Sequence, residues 1–240
     1  MFPSGGAVFL DFLTKKPFQV FLATTDPRRA PDTSPAELLN LLVHEEYGHC
    51  LHSSNSALSF GARPTLTEML QSQAGNAVSE GVSFHRELEF LNYLEDLKDR
   101  KPRRMERAFV NFLTKYGGAE EVFEEYAFFT HLWRIVRFVR VIGDARINSD
   151  KQSLMEFIDW ANKETRLSRS LVYHQVFPAH QGNGPGYAST YAILGESVAT
   201  IQEEALRNGK RLLDFNTYVS SLGFPPRSIF EDKLRTYAKS

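Results

Sequence analysis

The stretch Val43-His44-Glu45-Glu46-Tyr47-Gly48-His49-Cys50-Leu51-His52 decides how this chain is read. Three of the seven histidines fall inside it, with Glu45 and Glu46 between them. Imidazoles hold Zn²⁺, and a neighbouring carboxylate takes a proton from water, so this cluster points to a zinc hydrolase. A His-Glu-x-x-His helix does this with histidines at i and i+4. Here the second histidine comes at i+5. On a regular helix each residue turns the chain by about 100°, so His44 and His49 would point roughly 140° apart and share no ion. A one-residue π-bulge realigns such a pair, and Gly48 marks the place where an irregularity costs least. His52, at i+3 from His49, is a further candidate ligand. The plain alternative is a His-rich helix end, with imidazoles near the C-terminal dipole.

Outward from the cluster, Ser34-Pro35-Ala36-Glu37 reads as a capping box with proline at the first helical position. It predicts an active-site helix over 34–53, with Leu38, Leu39, Leu42 and Val43 as its apolar face and Ser53-Ser54-Asn55 as its end. Upstream, residues 7–12 and 17–23 predict two short strands around Thr14-Lys15-Lys16, a β-hairpin over 7–23, followed by a Pro-rich loop. Downstream, 56–75 reads as an irregular connection with a short helix at 65–73, and a strong helix follows over 76–99. The basic segment 98–107 reads as a solvated turn and helix start. An apolar stripe from Val122 to Ile142 predicts a helix over 119–143, with Arg137 and Arg140 close to the stripe. Ser149 with Gln152 predicts a helix start near 150, and 178–186 reads as a flexible loop. Helices over 187–208, 213–222 and 226–238 complete a mainly α chain, taken as a single domain.

Composition sets bounds on function. The 240 residues are 42% hydrophobic and 24% charged, an ordinary globular balance. A net charge of −1 gives no reason to expect nucleic acid or an anionic membrane as partner. No apolar run approaches the length of a membrane span, and the N-terminus lacks the basic region of a signal peptide. One cysteine, Cys50, excludes an internal disulfide and fits a reducing, cytoplasmic compartment.

A zinc hydrolase commonly has three protein ligands and one position open to water. With two histidines on one helix, a glutamate from the next helix can be the third. Glu80 is the best candidate, followed by Gly81 and Ser83, which are small enough for close packing. His85 is the second choice, as ligand or as partner of a ligand.

Four stretches in order resemble the bacterial domain-of-unknown-function family 885, a group of zincin-like proteins regarded as peptidases. They are His44-Glu45-Glu46-Tyr47-Gly48-His49, Glu80-Gly81 through Arg86-Glu87, Arg137 through Arg140 to Asp144, and Pro185-Gly186 through Tyr191. The family's proline before the glycine is missing from the first stretch. Asn148 stands where a histidine is expected, and His180 where an arginine is expected. The resemblance runs from about residue 17 to the end and covers only the C-terminal, catalytic half of the family, so a missing N-terminal domain or a homo-oligomer is an expectation. The resemblance implies a gluzincin-type domain, as in thimet oligopeptidase-type and carboxypeptidase Taq-type enzymes. His44, His49 and Glu80 would bind Zn²⁺. Glu45 would be the general base, and Tyr191 would donate a hydrogen bond to the oxyanion. Arg140 and His180 would bind the substrate, unless Arg140 is instead the ion-pair partner of Asp144. The expected activity is metal-dependent hydrolysis of a peptide or small amide.

Two other readings compete. One is a non-catalytic helical binding or assembly domain derived from a metallopeptidase, which predicts that His44 and His49 point apart. The other is a redox or metal-storage role for Cys50 beside His49, which a single thiol serves poorly.

Overall fold

Ser34 caps the first described helix. Its hydroxyl accepts the Glu37 amide at 3.1 Å, and Pro35 takes the first helical position. The computed structural model describes residues 5–8, 19–22, 34–60, 73–116, 118–182 and 184–240. Helix α1 (Pro35–Leu42) passes into a π-helical segment, Val43–Cys50, and then into α2 (Leu51–Phe60). The stop expected at 53–55 does not occur. The Ser56 hydroxyl is shared between the carbonyls of His52, four residues back, and Ser220, so a serine here bonds within the helix and does not break it.

The long helix α3 (Gln73–Asp99) follows the connecting residues, whose expected short helix lies outside the described residues. Then come α4 (Arg104–Leu113), a 3₁₀ turn (Thr114–Tyr116), α5 (Ala119–Asn148), α6 (Leu154–Thr165), α7 (Arg169–Gly182), α8 (Tyr187–Arg207), α9 (Leu212–Ser221) and α10 (Arg227–Lys239). The fold is mainly α. Strands β1 (Gly5–Val8) and β2 (Gln19–Leu22) pair antiparallel, Gly5 opposite Leu22 and Val8 opposite Gln19, and both approach the π segment. Their limits differ from the expected 7–12 and 17–23, and the expected turn at 14–16 lies outside the described residues. No described helix is long and apolar enough to cross a membrane.

Two local expectations need correction. Helix α6 starts at Ser153, not at Ser149. Ser153 and Glu156 satisfy each other's amides reciprocally, whereas the Ser149 hydroxyl bonds back to the Arg146 carbonyl and Asp150 turns at φ +55°. The expected loop at 178–186 does not begin at 178, because α7 continues through Pro178 to Gly182, and the described loop residues are 184–186. A proline removes one backbone hydrogen bond, and Val172 and Val176 already anchor the helix in a core.

The described residues form two compact units, with α3 contributing to both. The first draws on 1–65, 83–131 and 216–223. Its core joins Ala36 and Val43 to Leu91, Leu94 and Leu97 of α3 and to Val122, Phe123 and Tyr126 of α5. Phe90 meets Tyr126 and Phe109 edge-on, at 5.4 and 6.3 Å between centroids. Each fully buried side chain of this size contributes about 1.5–3 kcal/mol. The second unit draws on 66–82, 132–215 and 224–240. Val139, Phe157, Ile158, Ala161, Val172 and Val176 make one core in it. In the same unit α8 packs on α10, and Gly81 lies so close to Leu194 that an added Cβ would come within 2.7 Å of the leucine Cβ.

Candidate metal centre

The π segment brings together what a regular helix would separate. A π turn closes its hydrogen bonds over five residues instead of four, so i and i+5 come nearly into line. The Leu51 amide bonds back to the Glu46 carbonyl in this manner. The rings of His44 and His49 stand side by side, with centroids 4.8 Å apart and planes at 85°. The divergent imidazoles of a regular helix are therefore absent.

Contacts with α3 fix both rings. His44 Nδ1 lies 2.6 Å from Glu87 Oε1, and Glu87 is fully buried. A carboxylate only accepts, so Nδ1 carries the proton and donates, which leaves Nε2 with the lone pair. His49 Nδ1 shares a 3.0 Å hydrogen bond with Ser83 Oγ, a hydroxyl that can accept from Nδ1–H and so leave Nε2 to ligate. Glu80 lies one turn before Ser83 on the same helix. His44, His49 and Glu80 each offer a ligand atom, and these atoms lie within 4.8 Å of one another.

Glu45 follows His44 and is 6% exposed. Its Oε2 is buried and meets no hydrogen-bond donor among the described residues. A buried carboxylate oxygen without a donor is costly, and such groups concentrate where chemistry needs them. His44, His49 and Glu80 form a donor set that fits a metal ion, and this orphaned oxygen belongs to the residue next to His44.

Tyr47 anchors the middle of the π segment. Its hydroxyl donates to Glu89, which also accepts from Arg86 at 2.8 Å and from Asn216 at 2.7 Å. The Arg86 guanidinium lies 4.9 Å from the Tyr47 ring centroid. Burial opposes the charge on Glu89, but hydrogen bonding from His85 and the Arg86 charge outweigh it and hold the carboxyl below its usual range. His85, the second choice as ligand, thus serves this network, with Nε2 3.5 Å from Glu89 Oε2. His52 is also drawn elsewhere, with Nε2 3.0 Å from the Gly223 carbonyl. Burial, followed by the Arg86 charge, pushes its imidazole down to about 3, so it stays neutral at ordinary pH. The Cys50 thiol is pushed up to about 11 by burial and then by Glu46 and Glu45, which works against a thiolate ligand or redox centre.

In the second unit, Asp144 accepts the Gly186 amide on both carboxylate oxygens, at 3.0 Å each, and takes a further bond from Asn148. Gly186 sits at φ +87°, which favours glycine, and opens α8. Asp144 is thus a loop anchor, and Arg140 turns to the rings of Tyr191 and Tyr187, at 4.9 and 6.0 Å. Tyr187 donates to Glu80 Oε1 at 3.2 Å, and its hydroxyl lies 2.7 Å from that of Tyr191. Burial, then the Glu80 charge, raises both phenols: Tyr187 to about 12, Tyr191 well above its ordinary value. Both remain neutral donors at ordinary pH. The backbone at His180 is helical, but its side chain lies outside the described residues.

Glu87, Ser83 and Tyr187 were not anticipated as site residues. Glu80, Ser83 and Glu87 follow at i, i+3 and i+7, a polar stripe on a helix otherwise rich in apolar residues, and that stripe was the available signal. For Glu87→Gln, the affinity of this triad for a metal ion is expected to fall about 10- to 100-fold, because an amide no longer enforces the Nδ1–H tautomer of His44. Competition with a chromophoric chelator measures this, and unchanged affinity would remove Glu87 from the site.

Comparison of the chain with protein-family models, with curated proteins and with solved structures gives no match, so the functional reading rests on this chain's own geometry.

Proposed function

We propose that the protein is a zinc-dependent metallohydrolase of gluzincin type, cleaving a peptide or small amide bond. The observation that carries this reading is the pair of parallel-tasked histidines: His44 and His49 adjoin on the π turn, each with Nδ1 engaged by α3, and with Glu80 in ligand reach. Two imidazoles five residues apart that each engage α3 through Nδ1, with a carboxylate in ligand reach of both, support a shared ion more than helix packing alone.

His44, His49 and Glu80 are the residues that would hold the ion. Bound Zn²⁺ supplies Lewis-acid polarisation and makes water a nucleophile near neutral pH. Glu45 takes the proton from the attacking water on its carboxylate and later delivers it to the leaving amine. Tyr191, a neutral phenol, donates a hydrogen bond to the oxyanion that forms from the substrate carbonyl. Arg140, which lies over the rings of Tyr187 and Tyr191, is assigned to a substrate carboxylate, with His180 as a second contact. The strand pair beside the π segment offers an edge to which an extended peptide can add.

Metal analysis of the purified protein tests the reading. About one zinc per chain is expected, and His44→Ala should lose it. A wild-type chain that takes up no zinc after loading and removal of excess metal would end this proposal in favour of the non-catalytic helical domain.

A further inference from the structure

We infer that Tyr187 is a positioning residue of the metal centre: its hydroxyl holds the carboxylate of Glu80 in its ligating orientation and sets the direction of the Tyr191 hydroxyl. This rests on the metallohydrolase reading above. The hydrogen-bond geometry leaves one arrangement of protons. Glu80 as a carboxylate only accepts, and the Tyr187 hydroxyl has one proton. Tyr187 therefore spends that proton on Glu80 Oε1 at 3.2 Å, and its oxygen accepts from Tyr191 at 2.7 Å.

The donor is itself fixed. Tyr187 is the first residue of α8, directly after Gly186, whose amide both oxygens of Asp144 hold. Tyr191 lies one helical turn on, and the two rings pack edge-on at 5.3 Å and 84°. Arg140 lies over both rings. The order Asp144, Gly186, Tyr187, Glu80 is therefore a chain of contacts from a backbone amide to a ligand. A glutamate side chain rotates about its last bond at little cost, and a fixed donor on one oxygen removes that freedom before the ion arrives. It also means that Tyr191 must swing its O–H away from Tyr187 before it donates to a substrate, whereas Tyr187 keeps its bond to Glu80 throughout.

The test is zinc affinity measured by chelator competition for the wild type, Tyr187→Phe, Glu80→Ala and the double variant, with the metal-free melting temperature of each. Tyr187→Phe is expected to raise the zinc Kd about 10- to 100-fold, while the lost hydroxyl contacts with Glu80 and Tyr191 lower the metal-free melting temperature by only about 2–4 °C. In the Glu80→Ala background the same change should move the Kd by less than about twofold, because Tyr187 acts through Glu80. An unchanged Kd in Tyr187→Phe, or an equal loss with and without Glu80, would overturn the inference while leaving the metal reading standing. A wild type that binds no zinc is a different result, and it removes both.

Discussion

Replacing Glu45 by Gln is expected to lower hydrolysis roughly 10²- to 10⁴-fold, the usual contribution of a general base, with zinc content unchanged. The two halves of that outcome have separate causes. Glutamine matches glutamate in size, so a side chain only 6% exposed can be exchanged without opening a cavity. His44, His49 and Glu80 are untouched, so the ion stays. An amide cannot carry a proton from water to the leaving amine, so the chemistry stops. The orphaned Glu45 Oε2 sharpens the expectation: with no donor on that oxygen among the described residues, the exchange breaks no hydrogen bond there, and the melting temperature should stay close to that of the wild type. A panel of quenched peptides and simple amides, run beside metal analysis, reads both quantities. Full activity in the variant would strip Glu45 of the base role. Loss of zinc together with activity would make Glu45 part of the ligand set instead.

The i+5 spacing and Gly48 suggest an irregular turn, and capping residues suggest where helices begin, but the contacts that hold the π segment are not legible in sequence, for one physical reason. Caps act locally, so Ser34-Pro35-Ala36-Glu37 predicts the start of α1, and Asn208-Gly209 the end of α8, from side chains a few residues apart. The π segment has no such local code. Its histidines read as off-register in sequence, and what aligns them lies on α3 and α9: Glu87 on His44, Ser83 on His49, Glu89 and Asn216 on Tyr47. The same distance in sequence hid Tyr187, which contacts Glu80 from 107 residues away. Ser53-Ser54-Asn55 misled in the opposite direction. Serine favours turns when its hydroxyl competes for local backbone, but in α2 the Ser56 hydroxyl bonds four residues back and across to Ser220, so the helix goes on. Gly48 does lie within the irregular segment, as expected. It has no positive φ, and its contribution is the absence of a Cβ.

That absence yields the second large effect, through Gly48→Ala. A glycine-to-alanine change inside a helix ordinarily stabilises by about 0.5–1 kcal/mol, since alanine loses less backbone freedom on folding. Here the sign should reverse. A Cβ on residue 48 would lie 2.6 Å from the Ser83 Cβ and 2.7 Å from the Ser83 Cα. A side chain can rotate away from such a contact, but a backbone atom of α3 cannot. The π segment must then back away from α3, and overpacking of this kind costs about 1–3 kcal/mol. For a chain of this length each kcal/mol moves the melting temperature by roughly 2–4 °C, so a fall of several degrees is expected by calorimetry. The same displacement lengthens the 2.6 Å contact of His44 with Glu87 and the 3.0 Å contact of His49 with Ser83 together. Zinc affinity should therefore drop further than in Glu87→Gln, which loses only one of them. Adding Ser83→Gly to the Gly48→Ala chain removes the contacts with Oγ and Cβ but leaves the Cα in place, so only part of the lost stability should return, and none of the affinity that depends on the serine hydroxyl. An alanine variant that melts at or above the wild-type temperature and keeps its zinc would mean that the π segment and α3 are not pressed together at this point, and that the alignment of the two histidines has another origin.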